Sequence, residues 1–212
     1  ARVYDWYIGG QHNWAVDREF GQAAMEMFPL IPKLAQHNRG WLRRVVQSAL
    51  QAGITQFVDL GAGVPTVGAV HEVVANHTDD PAARVVYVDN EPVAAAHSSL
   101  ILEKQATQDW AGVVQADIRN PEDVLASDVL RRLIDFDRPV CILMVAVLHF
   151  VSDDEDIPGI LRAYTDRLAS GSWLAISHIS NDGAPQEQAE QLQRFADSYK
   201  NTQNPGYLRT RA

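Results

Sequence analysis

Five apolar runs of strand length, each followed by a segment with helical spacing, constrain this chain more than any other feature. They are Gln56–Leu60, Arg84–Asp89, Val113–Ala116, Val140–Leu148 and Ser172–Ser177. Arg84–Asp89 is continuous in apolar character, as a parallel strand covered on both faces must be. Val140–Leu148 is the most hydrophobic segment and is expected to be a central strand. Strands alternating with helices in this way build an open α/β sheet with right-handed crossovers. In such sheets a ligand binds beyond the carboxyl ends of the strands, where strand order reverses. The residues directly after each strand are therefore the ones to examine.

Between the strands, apolar spacing predicts helices over Val16–Phe28 and Leu34–Leu50, broken apart by Pro29 and Pro32, with Gly53 as a stop. Further helices are expected over Val67–Ala75, with Thr66 or the preceding turn as cap and backbone donors facing a ligand, and from Pro92 to Leu102. Another runs from a cap at Asn120, with Pro121 at the first helical position, through Leu133. The next begins at Ser152–Glu155 or at Pro158 and runs to Leu168, and the last spans Gln186–Tyr199 before a turn at Asn204-Pro205-Gly206. The first fourteen residues are aromatic and glycine-rich with no clean period. They read either as an arm that covers a core edge or as a lid whose aromatics and Asn13 engage a small molecule. A single domain over 1–212 is expected, with an N-terminal arm and helices (1–52) and an α/β core (53–212).

Composition narrows the partners. A net charge of −9 lacks the basic footprint of a nucleic-acid binder, and Arg39, Arg43 and Arg44 read as one helix face. Cys141 is the sole cysteine and lies in an apolar run, so no internal disulfide can form and a reducing, cytoplasmic compartment is expected. No uncharged apolar segment approaches the ~20 residues of a membrane span. His12, His37, His71, His77 and His97 show no metal-ligand spacing, and no zinc site is indicated.

The strand ends carry the chemistry. Asp59 with Gly61 and Gly63 follows the first strand, Asp89 the second, Asp117 the third, and His149 and His178 the fourth and fifth. A carboxylate at Asp89, one βα unit after a Gly-x-Gly turn, can accept from both hydroxyls of an adenosine ribose. The dinucleotide fingerprint needs a third glycine, but Thr66 occupies that position after Pro65. Asp59, ahead of the turn, can instead position a cationic amino-acid group, which S-adenosylmethionine has and NAD lacks. Asp117 is either a cap or solvated loop carboxylate, or an acceptor for an adenine amino group with Ile118 packed on the ring. Arg39 could reach a carboxylate or remain a solvated charge. His149 and His178 are either hydrogen-bonded structural residues or groups that orient a substrate or act as general base.

Taken together these residues resemble the class I S-adenosylmethionine-dependent methyltransferases, and more narrowly the actinobacterial S-adenosyl methyltransferase family formerly catalogued as a domain of unknown function. The matching stretches are Ala1–Asp5 with Gly9-Gly10 and Asn13, His37–Arg39, Asp59–Thr66 with His71-Glu72, Val86–Asn90, Gln115–Asp117, Val145–Phe150, and Gly171-Ser172 to Ser177-His178. The resemblance implies a Rossmann-like α/β fold over 53–212, an open, mostly parallel sheet with helices on both faces, with an N-terminal helical lid and a terminal β-hairpin missing from this chain. It also implies that Gly61 and Gly63 approach the methionine moiety, that Asp89 with Asn90 holds the ribose and that Asp117 with Ile118 flanks adenine. Ala146 and Val147 would line the pocket beside the sulfonium, and the segment from Tyr4 to Trp14, including Asn13, would close over the cofactor. The expected activity is methyl transfer from S-adenosylmethionine to a small-molecule acceptor, with no nucleic acid or membrane partner. A non-catalytic binding module and an NAD-dependent oxidoreductase are the alternatives.

Overall fold

The strands are β1 (Gln56–Leu60), β2 (Arg84–Asp89), β3 (Ala111–Gln115), β4 (Val140–Val145) and β5 (Trp173–Ser177). In the computed structural model, which describes residues 1–200 and 205–210, they form one parallel sheet in the order β3-β2-β1-β4-β5. The chain runs outward from β1 to β3, then crosses back to place β4 on the other side of β1. The order therefore reverses between β1 and β4, and a crevice opens there at the carboxyl ends.

Side-chain alternation divides each strand between two cores. Val58, Leu60, Val86, Val88, Ile142 and Met144 face α6 (Pro121–Ala126), α7 (Asp128–Leu133) and α8 (Ile157–Thr165). Phe57, Val85, Tyr87, Cys141 and Leu143 face α3 (Ile31–Gln51), α4 (Val70–His77) and α5 (Pro92–Lys104). The same period puts Asp59 on the Phe57 side, toward α3. A third cluster joins α1 (Arg2–Tyr7), α2 (Ala15–Met27) and the start of α3 to α9 (Gln186–Ser198), through Tyr7, Phe28, Ile31, Ala35, Leu192 and Phe195.

Several elements depart from the sequence expectations for local reasons. Residues 2–7 are helical although their pattern shows no clean period, because this one-turn helix gains its stability by docking on α2 and α3. Pro32 lies in the first turn of α3, where its missing N–H has no helical partner to lose, so only the residues around Pro29 separate the helices. Helix α4 starts at Val70 rather than Val67, and the Glu72 carboxylate reaches back to accept the Gly68 and Ala69 N–H groups. Those two donors are therefore closed by the chain itself. The helix expected from Asn120 through Leu133 breaks at Ser127, whose hydroxyl caps α7, and the Asn120 side chain makes no cap. Strand β4 stops at Val145 because Ala146 adopts φ +56°, and Leu148–Phe150 is a 3-10 turn. Helix α8 ends at Thr165, short of Leu168. The turn expected at Asn204-Pro205-Gly206 begins outside the described residues. Among the described residues no helix is long and apolar enough to cross a membrane.

Candidate active site

Strand β1 delivers the chain into a turn that only glycine makes easily. Gly61 and Gly63 have φ of +74° and +63°. A Cβ on Gly61 would clash with the Val147 side chain, so the backbone of this turn passes directly against a residue just beyond β4 across the crevice. Ala146 N–H donates to both the Ser177 carbonyl and its hydroxyl, which ties the end of β4 to the end of β5 and holds Val147 in place. Gly61, Gly63, Ala146 and Val147 are thus brought together at the point where strand order reverses.

Asp59 lies at the end of β1 just before the turn and is 4% exposed. Burial pushes its carboxyl up to about 7, Arg39 on α3 opposes that shift, and the neighbouring charge of Asp89 adds to it. The Arg39 guanidinium lies over the Tyr4 ring at 5.6 Å, and its buried Nε has no partner. Thr66 Oγ1 is likewise buried without a partner. A carboxyl poised near neutrality and two unused polar atoms, brought to the turn by three elements, can receive a ligand bearing both an ammonium and a carboxylate. The buried Cys141 thiol, pushed up to about 12 by burial, is inert packing beside them.

Asp89 closes the next side. Its Oδ2 accepts the Gly63 N–H at 2.7 Å and its Oδ1 accepts the Glu91 N–H at 2.9 Å, so it joins the glycine turn to the end of β2. Each oxygen retains further lone-pair capacity. Asn90 beside it is exposed. Asp117 is held below the usual carboxylate range by the Arg119 fork, with contacts of 2.6 Å to Nη2 and 3.0 Å to Nε. Ile118 is buried, its carbonyl accepting the Tyr164 hydroxyl at 2.9 Å.

The N-terminal residues are more committed to one another than their sequence suggests. Tyr4 OH donates to the Ala35 carbonyl and accepts from Asn38 Nδ2. Asn13 Nδ2 donates to Asp5 and to the Gly10 carbonyl, and its Oδ1 accepts from Arg18. Asn13 therefore shapes the loop after α1, while a Cβ on Gly63 would come 3.3 Å from that of Ala1. The arm thus begins beside the glycine turn and packs back on α2 and α3.

On the far side of Val147, the His149 and His178 rings meet edge to face with centroids 5.6 Å apart. His178 Nδ1 donates to the Ile179 carbonyl, and its Nε2 then accepts from Arg209 Nη1 at 3.0 Å, which fixes the neutral tautomer. Arg209 also donates to the Leu148 and Val151 carbonyls and to Asp153, while the Tyr207 N–H donates to the His149 carbonyl. Residues 205–210 are clasped over the ends of β4 and β5 in this way. Burial, with His178 and Arg209 nearby, pushes His149 down to about 3, and its buried Nδ1 has no partner. Arg209 and Arg119 carry no motif in the sequence. Arg119 follows Asp117 by two residues, a spacing that hints at a local pair, whereas Arg209 is joined to its partners only by the fold.

The family described as S-adenosyl methyltransferase matches the chain over residues 1–212. A candidate methyltransferase from Thermobifida fusca YX is 38% identical with a TM-score of 0.87, over 99% of this chain and 75% of that one. A DUF574 family protein from Streptomyces avermitilis MA-4680 is also 38% identical, with a TM-score of 0.88, over 99% of this chain and 78% of that one. A search of curated proteins found no match.

Proposed function

The chain belongs to the S-adenosyl methyltransferase family and uses S-adenosylmethionine as its cofactor, and from that premise we propose methyl transfer to a small-molecule acceptor at the carboxyl ends of β1 and β4. The observation that carries the placement is the pair Asp59 and Arg39 at the Gly61–Gly63 turn. The amino-acid end of the cofactor bears an ammonium and a carboxylate. Ionised Asp59 pairs with the first, Arg39 Nε–H donates to the second, and the two glycines let the backbone come close to both.

The remaining roles follow the order of the strand ends. Asp89, with Asn90, holds the ribose hydroxyls through the lone pairs not used by Gly63 and Glu91. Ile118 packs on adenine, and Asp117 accepts from its amino group once the exposed Arg119 fork gives way. Tyr4 covers Arg39 from above, and Asn13 keeps the loop after α1 in shape so that the arm closes over the turn. Ala146 and Val147 form an apolar wall beside the sulfur. The cofactor, when bound, supplies a methyl group on a positively charged sulfur. The protein's share of the chemistry is to align the nucleophile with that carbon and to keep water out.

His149 faces the acceptor. Its Nδ1 stays neutral above about pH 3 and can accept a hydrogen bond from an acceptor O–H or N–H, fixing the direction of attack. His178 supports the wall with its lone pair engaged by Arg209. A small acceptor is favoured by the clasped segment 205–210 over this side and by the net charge of −9, which repels extended phosphate backbones.

Calorimetric titration with S-adenosylmethionine and with NAD, followed by an acceptor panel read by S-adenosylhomocysteine release, tests the reading. Saturable binding of the former alone, weakened in Asp59→Asn and in Arg39→Ala, supports the placement. Unchanged affinity in both variants would sink it, and turnover only on nucleic acid would overturn the small-molecule acceptor.

A further inference from the structure

At the opposite end of the strands from the glycine turn, where β1 and β2 begin, lies a recess of about 430 Å³. Its walls carry Arg84, Arg131, Arg132 and Arg138, with Gln56 and Asp135 between them. Arg84 opens β2, Arg131 and Arg132 close α7, and Arg138 precedes β4, so three parts of the fold bring arginines to the lining of one space. They are four of only 18 Lys and Arg residues in a chain of net charge −9.

Gathering like charges is unfavourable unless a counter-charge is present. Among the described residues none of the four has a carboxylate partner within ion-pair distance. Arg84 spends Nη1 on the Pro81 and Ala83 carbonyls, both at 2.7 Å, which holds its side chain in the wall. Asp135 is the one acid there, and its Oδ1 already accepts the Asp137 N–H at 3.0 Å. Four Arg and one Asp leave the wall with a net charge of +3.

The base of the recess is also prebuilt. Gln56, 2% exposed, donates from Nε2 to the Asp135 carbonyl at 2.9 Å and accepts the Asp135 N–H at 2.8 Å. This pair of hydrogen bonds between β1 and the loop before β4 keeps the recess in shape without a ligand. Complementing the carboxyl end of α7 accounts for Arg131 and Arg132 but not for Arg84 or Arg138.

We propose that this recess is an anion-binding site for a small ligand bearing two or more phosphate groups, which the planar forks of several arginines suit better than single carboxylates. β1 separates it from the glycine turn by five residues, roughly 15 Å at ~3.3 Å per residue, so its occupant is not the methyl acceptor. The assignment does not depend on the reaction proposed above.

Calorimetric titration of the full chain with inorganic pyrophosphate, at low and high salt, tests it. The expected result is saturable one-to-one binding that weakens with salt and falls at least tenfold in Arg131→Ala/Arg132→Ala/Arg138→Ala. S-adenosylmethionine affinity and the circular dichroism spectrum of that variant should match the parent, since all three side chains are exposed. No saturable binding by the parent, equal binding by the variant, or displacement of pyrophosphate by S-adenosylmethionine would each overturn the proposal.

Discussion

At the scale of single residues, Asp59 sets the most direct tests. Its carboxyl, raised to about 7 by burial, is protonated on the acid side of neutrality and then offers no charge to an ammonium. Affinity for S-adenosylmethionine should therefore rise with pH up to about 7, by at most about tenfold per pH unit for one linked proton, and level off above it. Asp59→Asn should flatten that profile and cost about 1–3 kcal/mol at pH 8, as titrations at pH 6, 7 and 8 would read. Stability of the free protein runs the other way. The folded value lies above the unfolded one of 3.8, so the contribution of Asp59 is full below that value and is lost as pH rises through about 7. The melting temperature of Asp59→Asn minus that of the parent should consequently grow from pH 5 to pH 8. Gly61→Ala combines the left-handed penalty of ~1–2 kcal/mol with overpacking against Val147. Chemical denaturation of Gly61→Ala and of Gly61→Ala/Val147→Ala separates the two, since only the overpacking should be recovered in the double variant.

At the scale of elements, the carboxyl ends of β4 and β5 owe their cover to one guanidinium. Arg209 joins the 3-10 turn, Asp153 and His178 to the segment 205–210. Its loss in Arg209→Ala removes charge-assisted hydrogen bonds, and local opening should become easier by about 1.5–3 kcal/mol. Hydrogen exchange at the Tyr207 amide, which donates to the His149 carbonyl, should accelerate while exchange in β1 stays unchanged. Burial is the main cause that holds His178 down, and the Arg209 charge adds to it while occupying the Nε2 lone pair, so His178 should also titrate at higher pH in that variant. An unchanged His178 titration by NMR would show that the clasp does not form in solution. Arg209→Lys should restore little of the protection, since an ammonium cannot fork to the same set of carbonyls and imidazole.

Across the whole molecule, cofactor binding and folding are linked. A ligand that binds only the native state adds about 2.7 kcal/mol at a hundredfold excess over Kd, which for a domain of this size raises Tm by roughly 5–11 °C. Differential scanning fluorimetry with S-adenosylmethionine should show that rise, and NAD at the same concentration should not. The sheet order gives the reason such binding can report on global stability. The turn after β1 sits between β2 and β4, so opening it disturbs the two central pairings together.

Much of this was legible in the chain itself. The five strands, their alternation with helices and the acids and histidines at their ends follow from periods of two and 3.6 residues and from glycine and proline punctuation, which act within a few neighbours. What those residues touch was not legible. Arg119 on Asp117, Arg209 on His178, the Glu72 closure of α4 and the helical state of residues 2–7 depend on partners supplied by the fold. The break at Ser127 and the left-handed Ala146 depend on packing that overrides local preference. A parallel α/β sheet with an acid ahead of a glycine turn follows from the order of residues alone, because strand periodicity and the glycine pattern are local. That the charge of Arg39, with an unused donor, acts on Asp59, and that Arg84, Arg131, Arg132 and Arg138 share one recess, follows from the packing of separate elements, because those approaches join residues far apart in the chain.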